Sequence, residues 1–147
     1  MILKLFKAAW FLSVAAVLAI LLYVYASLPE EVVLHEKSST LILADREFLF
    51  YTVVAAIVII NVLVYIISRL FAQHENFRAW FHGLIISINI FLIITMSLIQ
   101  VHNSAERFDF SRITFLIYGS VALVILWAVS WPLYSIFRKI FTKPSIL

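Results

Sequence analysis

The chain has 147 residues, of which 65% are hydrophobic and only 13% charged, with two glycines and no cysteine. A soluble domain is about half apolar and a quarter charged, so a water-soluble globular fold, which would expose large apolar patches, is excluded. Four stretches free of Asp, Glu, Lys and Arg, at 8–29, 48–68, 79–105 and 113–137, each reach 21 residues or more.

A helix of about 20 residues crosses about 30 Å of hydrocarbon. The chain is therefore expected to be an all-α integral membrane protein, one domain over 1–147, with transmembrane spans at about 8–29, 48–68, 79–101 and 113–137. Stretches such as 53–60 and 84–94 do not show the sustained apolar–polar alternation of a membrane barrel. Only helices and closed barrels satisfy their backbone hydrogen bonds in lipid.

The first span follows Lys4 and Lys7 and is closed by Pro29, which has no amide hydrogen and disfavours helical geometry in the residue before it. Lys4, Lys7, the apolar stretch and Val24-Tyr25-Ala26 also fit a secretory signal. The apolar stretch is longer than a usual signal core, so a retained span is expected. Ala9, Ser13 and Ala16 form one ridge of small residues and Ala15 with Ala19 another, where helix backbones can approach.

The longest connection, 30–47, is expected to carry a short β-ribbon, 32–36 against 40–44, turned by Lys37, Ser38 and Ser39. An isolated ribbon is marginal in water. Leu41, Ile42 and Leu43 in succession are out of place in a solvated loop; docking on the membrane surface or on another protein accounts for them, and they are candidate partner contacts.

The preceding residues, Leu28-Pro29-Glu30-Glu31-Val32-Val33-Leu34-His35, resemble the L-P-x-x-I-P-x-H motif in the first external loop of a family of small bacterial membrane proteins. That family includes the sporulation-delaying toxin immunity and signalling proteins. The resemblance implies an envelope immunity or signalling protein, with Leu28, Pro29 and His35 at motif positions. Val33 stands in place of the family's second proline, Glu36 in place of a usual aromatic residue, and the downstream glycine and lysine are absent in that spacing.

Asp45 precedes the second span as a helix cap. Within the span, Asn61, Tyr65 and Ser68 fall on one helical face. Asn61 is deep enough that lipid exposure would cost several kcal/mol, so it needs a partner, either Asn89 or a helix of another subunit, and pairing within the chain is expected.

The third span follows Asn76, a second cap candidate. It carries His82, Asn89 and Gln100, which share a face at about 100° per residue. They can be read as a hydrophilic path or a quinone or headgroup contact, or as hydrogen bonds between helices worth about 0.6–2 kcal/mol each; packing is the expected role. Gly83 and Ser87 mark a close helix approach.

Asp109 precedes the fourth span, where Pro132 frees the Ala128 carbonyl and is expected to bend the helix, with Ser130 or Ser135 compensating. Trp127 lies too deep for the interfacial aromatic belt in which Trp10, Trp80 and Trp131 are expected. Its indole N–H needs an acceptor, on another helix or on a partner, and Trp127 is the fourth candidate partner contact.

Lys and Arg set the orientation. With the amino terminus inside, the inner segments carry Lys4, Lys7, Arg69, Arg78, Arg138, Lys139 and Lys143 against Glu75 alone. The outer loops carry Lys37, Arg46, Arg107 and Arg112 against seven acids. Both termini are expected in the cytoplasm and the protein in a bacterial inner membrane.

Chemistry has few footholds. Without cysteine there is no disulfide or thiolate metal site. No Asp, Glu, Lys or Arg falls within a span, which argues against a carboxylate-coupled transporter. A bis-imidazole haem needs two histidines facing each other, whereas His82 and His102 are about 30 Å apart along one helix. Neither His74, Glu75 and His82 nor His35, Glu36 and His102 has the spacing of a metal motif.

No catalytic residue, metal or cofactor is expected. The partners expected are membrane lipids and other integral membrane proteins or further copies of the chain, not nucleic acid. The leading functional expectation is a non-catalytic inner-membrane accessory, stabilising or assembly subunit acting by helix–helix contact in a larger membrane complex. The alternative is a small envelope immunity, signalling or transport protein that senses a ligand at its external loop.

Overall fold

The computed structural model describes residues 1–37, 40–104 and 110–141, with side chains except those of residues 35–37, 40–41 and 110–114. In chain order these form α1 (Ile2–Ser27), β1 (Glu31–Lys37), β2 (Thr40–Asp45), α2 (Arg46–Leu70), α3 (Glu75–Asn103) and α4 (Phe110–Phe141). All four helices are long and apolar enough to cross a membrane.

Each helix extends past its uncharged stretch at one end or at both. α1 begins before Lys4 and Lys7, and α4 continues through Arg138 and Lys139. Charge ends the hydrocarbon-compatible segment, whereas the backbone keeps gaining hydrogen bonds beyond it, and long basic side chains can reach water from within a helix. α1 stops at Ser27, with Leu28 as an extended cap before Pro29.

Asp45 caps α2, its carboxylate accepting from the Glu47 and Phe48 amides. At α3 the expectation is corrected. The cap position is His74, without a side-chain hydrogen bond, and Asn76 lies inside the first turn. Asp109 lies outside the described residues.

α3 is the central helix, packed chiefly against α1 and α4 and more lightly against α2. Its buried face includes Ala79, His82, Gly83, Ile85, Ser87, Asn89 and Met96. An apolar core joins Val17, Leu21, Val24 and Leu28 to Val32, Ile57 and Met96, so it runs from α1 into β1 as well as into α2 and α3. The Ala15 and Ala19 ridge faces outward.

β1 and β2 pair antiparallel from Glu31 with Asp45 to Lys37 with Thr40, and the register shifts between Val33 and His35. The turn at 38–39 lies outside the described residues. α4 is continuous through Pro132. Ser130 does not compensate the Ala128 carbonyl; its hydroxyl donates to the Trp127 carbonyl at 2.7 Å.

Candidate functional site

Three side-chain assemblies hold these elements together, and of the polar residues singled out above they use Ser13, Asn61 and Asn89. The first lies among α1, α2 and α3. Asn61 and Asn89 face each other, each amide donating to the other's oxygen at 3.4 Å. The Asn61 Oδ1 also accepts from the Trp10 indole at 2.8 Å, and its Nδ2 donates to the Ile57 carbonyl at 2.8 Å. Asn89 Nδ2 donates to Ser13 Oγ at 2.9 Å, and Ser13 Oγ donates to the Trp10 carbonyl at 2.8 Å.

Both hydrogens of each amide, the indole hydrogen and the hydroxyl hydrogen are thus all committed. Asn89 is wholly buried. A closed set of donors ties three helices together, which suits packing better than a hydrophilic path.

Trp10, expected in the interfacial belt, is instead an interior donor. Trp10 is one turn from Ser13, the small residue of α1 that meets Asn89 of α3, but its own acceptor, Asn61, comes from α2. Along α2 the expected stripe divides. Asn61 is half-buried, whereas Tyr65 is exposed with the Arg69 guanidinium 5.1 Å from its ring centre.

His82 does not join the asparagines. Its Nδ1 is 2.6 Å from the Arg78 carbonyl and its ring meets Trp10 edge-on at 5.8 Å. Gln100 is half-buried, and among the described residues no hydrogen bond links it to His82 or Asn89. Nor do the described residues contain a group of three or more His, Cys, Asp or Glu placed to hold a metal ion. The side chains of His35 and Glu36 lie outside the described set.

The second assembly joins α3 to α4. The Trp127 indole donates to the Trp80 carbonyl and the Trp80 indole to the Trp127 carbonyl, each at 2.8 Å. Trp127 also packs against Phe6 of α1, with ring centres 5.9 Å apart. The Trp127 ring lies over Gly83, where an added methyl would overlap Cζ2 and Cε2 and sit 2.8 Å from Nε1. The acceptor that Trp127 requires is therefore in its own chain.

The third assembly fixes the ribbon. Asn103, at the end of α3, accepts from the Val33 amide at 2.8 Å and donates to the Val33 carbonyl at 3.0 Å. Its side chain pairs with the edge of β1 much as a neighbouring strand would. Arg46 closes the other side. Its amide donates to the Glu30 carbonyl at 2.9 Å, Nη1 donates to the Leu28 carbonyl at 3.1 Å, and the guanidinium stands 5.0 Å from the Tyr25 ring centre.

Leu28 and Val32 are buried beneath the ribbon, whereas Ile42 is 52% and Leu43 48% exposed. The Leu41 side chain lies outside the described set. Asn103 was missed in the sequence because a polar residue at a span end is ordinary; only its pairing with a strand edge makes it structural.

Asn103→Leu is expected to remove both bonds, together about 1–3 kcal/mol, and to loosen the ribbon while leaving the helices in place. Hydrogen exchange should show roughly tenfold lower protection in β1 and β2 and unchanged protection in α3. Unchanged protection in the strands would contradict the role given to Asn103. No protein-family model, curated protein or solved structure matches this chain.

Proposed function

We propose that the chain is a non-catalytic subunit of a bacterial inner-membrane complex, with both termini in the cytoplasm, that acts by binding another integral membrane protein through its ribbon. The observation that carries this reading is the exposure of Ile42 and Leu43 on a ribbon fixed by Asn103 and Arg46. Successive strand residues point to opposite faces, so β2 offers an aliphatic side chain on each. A planar headgroup surface covers one face of a ribbon lying on it; a protein partner can enclose both.

The interior supports the same reading. The polar groups of the first two assemblies are spent on contacts within the chain, and the basic residues of the inner segments favour cytoplasmic termini. The buried positions of Leu28 and Val32 give the loop motif a packing role, which favours contact over ligand sensing.

The test is an Ile42→Asp, Leu43→Asp double variant expressed at the natural level. A polypeptide that co-migrates stoichiometrically with the wild-type protein on native gels is expected to dissociate from the variant, whose abundance and membrane insertion stay normal. Retention of the same complex by the variant would refute the reading.

A further inference from the structure

At the end of the bundle where α1 begins and α4 finishes, an open cleft separates the start of α3 from the last turns of α4. Its wall on the α4 side carries Arg138 and Lys139, both exposed, above Trp131 and Tyr134. Across from them are Asn76 and Phe77, in the first turn of α3. Among the described residues that line the cleft, Glu75 is the single acid beside Arg138 and Lys139.

The aromatic side chains form a continuous wall. Phe77 packs against Trp131 with ring centres 5.3 Å apart, and Trp131 against Tyr134 at 5.7 Å. A second, shallow opening shares Asn76, Trp131 and Tyr134 with the cleft and continues along the helices to Trp80 and Ser130. The combination is a cationic mouth leading into an aromatic groove. The first turn of α3, lacking a side-chain cap, adds amide hydrogens that favour a negative group in the same mouth.

We propose that this cleft binds the phosphodiester headgroup of an anionic phospholipid, with Arg138 and Lys139 facing the phosphate and the glycerol region lying along Trp131 and Tyr134. A free phosphate ion shares the charge chemistry but makes no use of the groove. Basic pockets between transmembrane helices bind anionic headgroups by this combination of charge and depth, and Trp and Tyr settle at headgroup level. The proposal requires only that the chain sits in a bilayer. Its failure leaves the ribbon contact untouched.

The experiment uses the full chain in a neutral detergent, with phosphatidylglycerol and phosphatidylcholine added at equal concentration and retained lipid read by native mass spectrometry. The wild-type protein is expected to retain phosphatidylglycerol about tenfold over phosphatidylcholine, in line with two basic contacts. Arg138→Gln with Lys139→Gln should abolish that preference. Lys4→Gln with Lys7→Gln, an equal loss of charge at the same end but outside the cleft, should keep it.

Both altered side chains of the cleft variant are exposed, and its melting without lipid checks the fold. Equal loss in the two double variants would mean diffuse surface attraction and overturn the site. So would the absence of any preference in the wild-type protein, which no folding defect can explain. Displacement of the lipid by millimolar inorganic phosphate would assign the cleft to a free anion and overturn the lipid proposal.

Discussion

Gly83→Ala is expected to destabilise the protein by about 2 kcal/mol, a sign opposite to the one that helix propensity predicts. Alanine is the better helix former by about 1 kcal/mol, and Gly83 lies well inside α3. The methyl has no room, because the Trp127 ring already occupies its position. The ring must move, and it is held by its bond to the Trp80 carbonyl and by contact with Phe6.

Overpacking costs about 1–3 kcal/mol, and displacing the reciprocal indole bonds adds about 0.6 kcal/mol for each. Unfolding followed by far-UV circular dichroism in mixed micelles gives the difference. Combining Gly83→Ala with Trp127→Leu should cost at least about 1 kcal/mol less than the sum of the single changes, since the smaller side chain leaves room for the methyl. A Gly83→Ala protein as stable as wild type would mean that Trp127 does not clamp α4 to α3.

Asn89→Leu is expected to cost about 2 kcal/mol although volume and hydrophobicity favour the substitution in a membrane. It removes the bonds to Ser13 and Asn61, each worth about 0.6 kcal/mol on average and up to about 1.7 kcal/mol. It also leaves an Asn61 hydrogen without an acceptor in a half-buried site, which adds to the cost. Asn61→Leu instead strands the Trp10 indole hydrogen and should cost a similar amount.

The double variant decides whether the group acts as a unit. With both amides gone, neither asparagine strands the other, so the combined cost should fall at least about 0.5 kcal/mol short of the sum. Strict additivity would mean that the 3.4 Å contacts between the amides contribute nothing.

These two assemblies show where sequence periodicity stops being informative. Continuous uncharged runs reveal the four helices because lipid leaves the backbone so few alternatives. Their ends shift by up to several residues because charge marks where hydrocarbon stops, not where hydrogen bonding stops. Helical phase puts His82, Asn89 and Gln100 on one face, yet a shared face says nothing of which neighbour lies opposite at each level. Asn89 meets Ser13 and Asn61, whereas His82 turns back to the carbonyl of its own helix.

Trp10 reads as an interfacial tryptophan by its distance from the amino terminus, and only the presence of Asn61 across the helix contact makes it an interior donor. Gly83 stands out as a small residue, but the indole that requires it comes from a helix 44 positions away in the chain. The ribbon is similar. Its Val and Ile content suggests strands, while its position depends on Asn103 and Arg46, residues outside it whose types carry no strand signal.

Contact through the ribbon is the central functional claim, and site-specific photocross-linking from position 42 in native membranes tests it most directly. Position 59 in α2, where Ile59 is also exposed, serves as the lipid-facing comparison. A probe at 42 should yield one discrete protein adduct of fixed mass while the probe at 59 yields lipid adducts. Only lipid adducts from both positions would contradict the account.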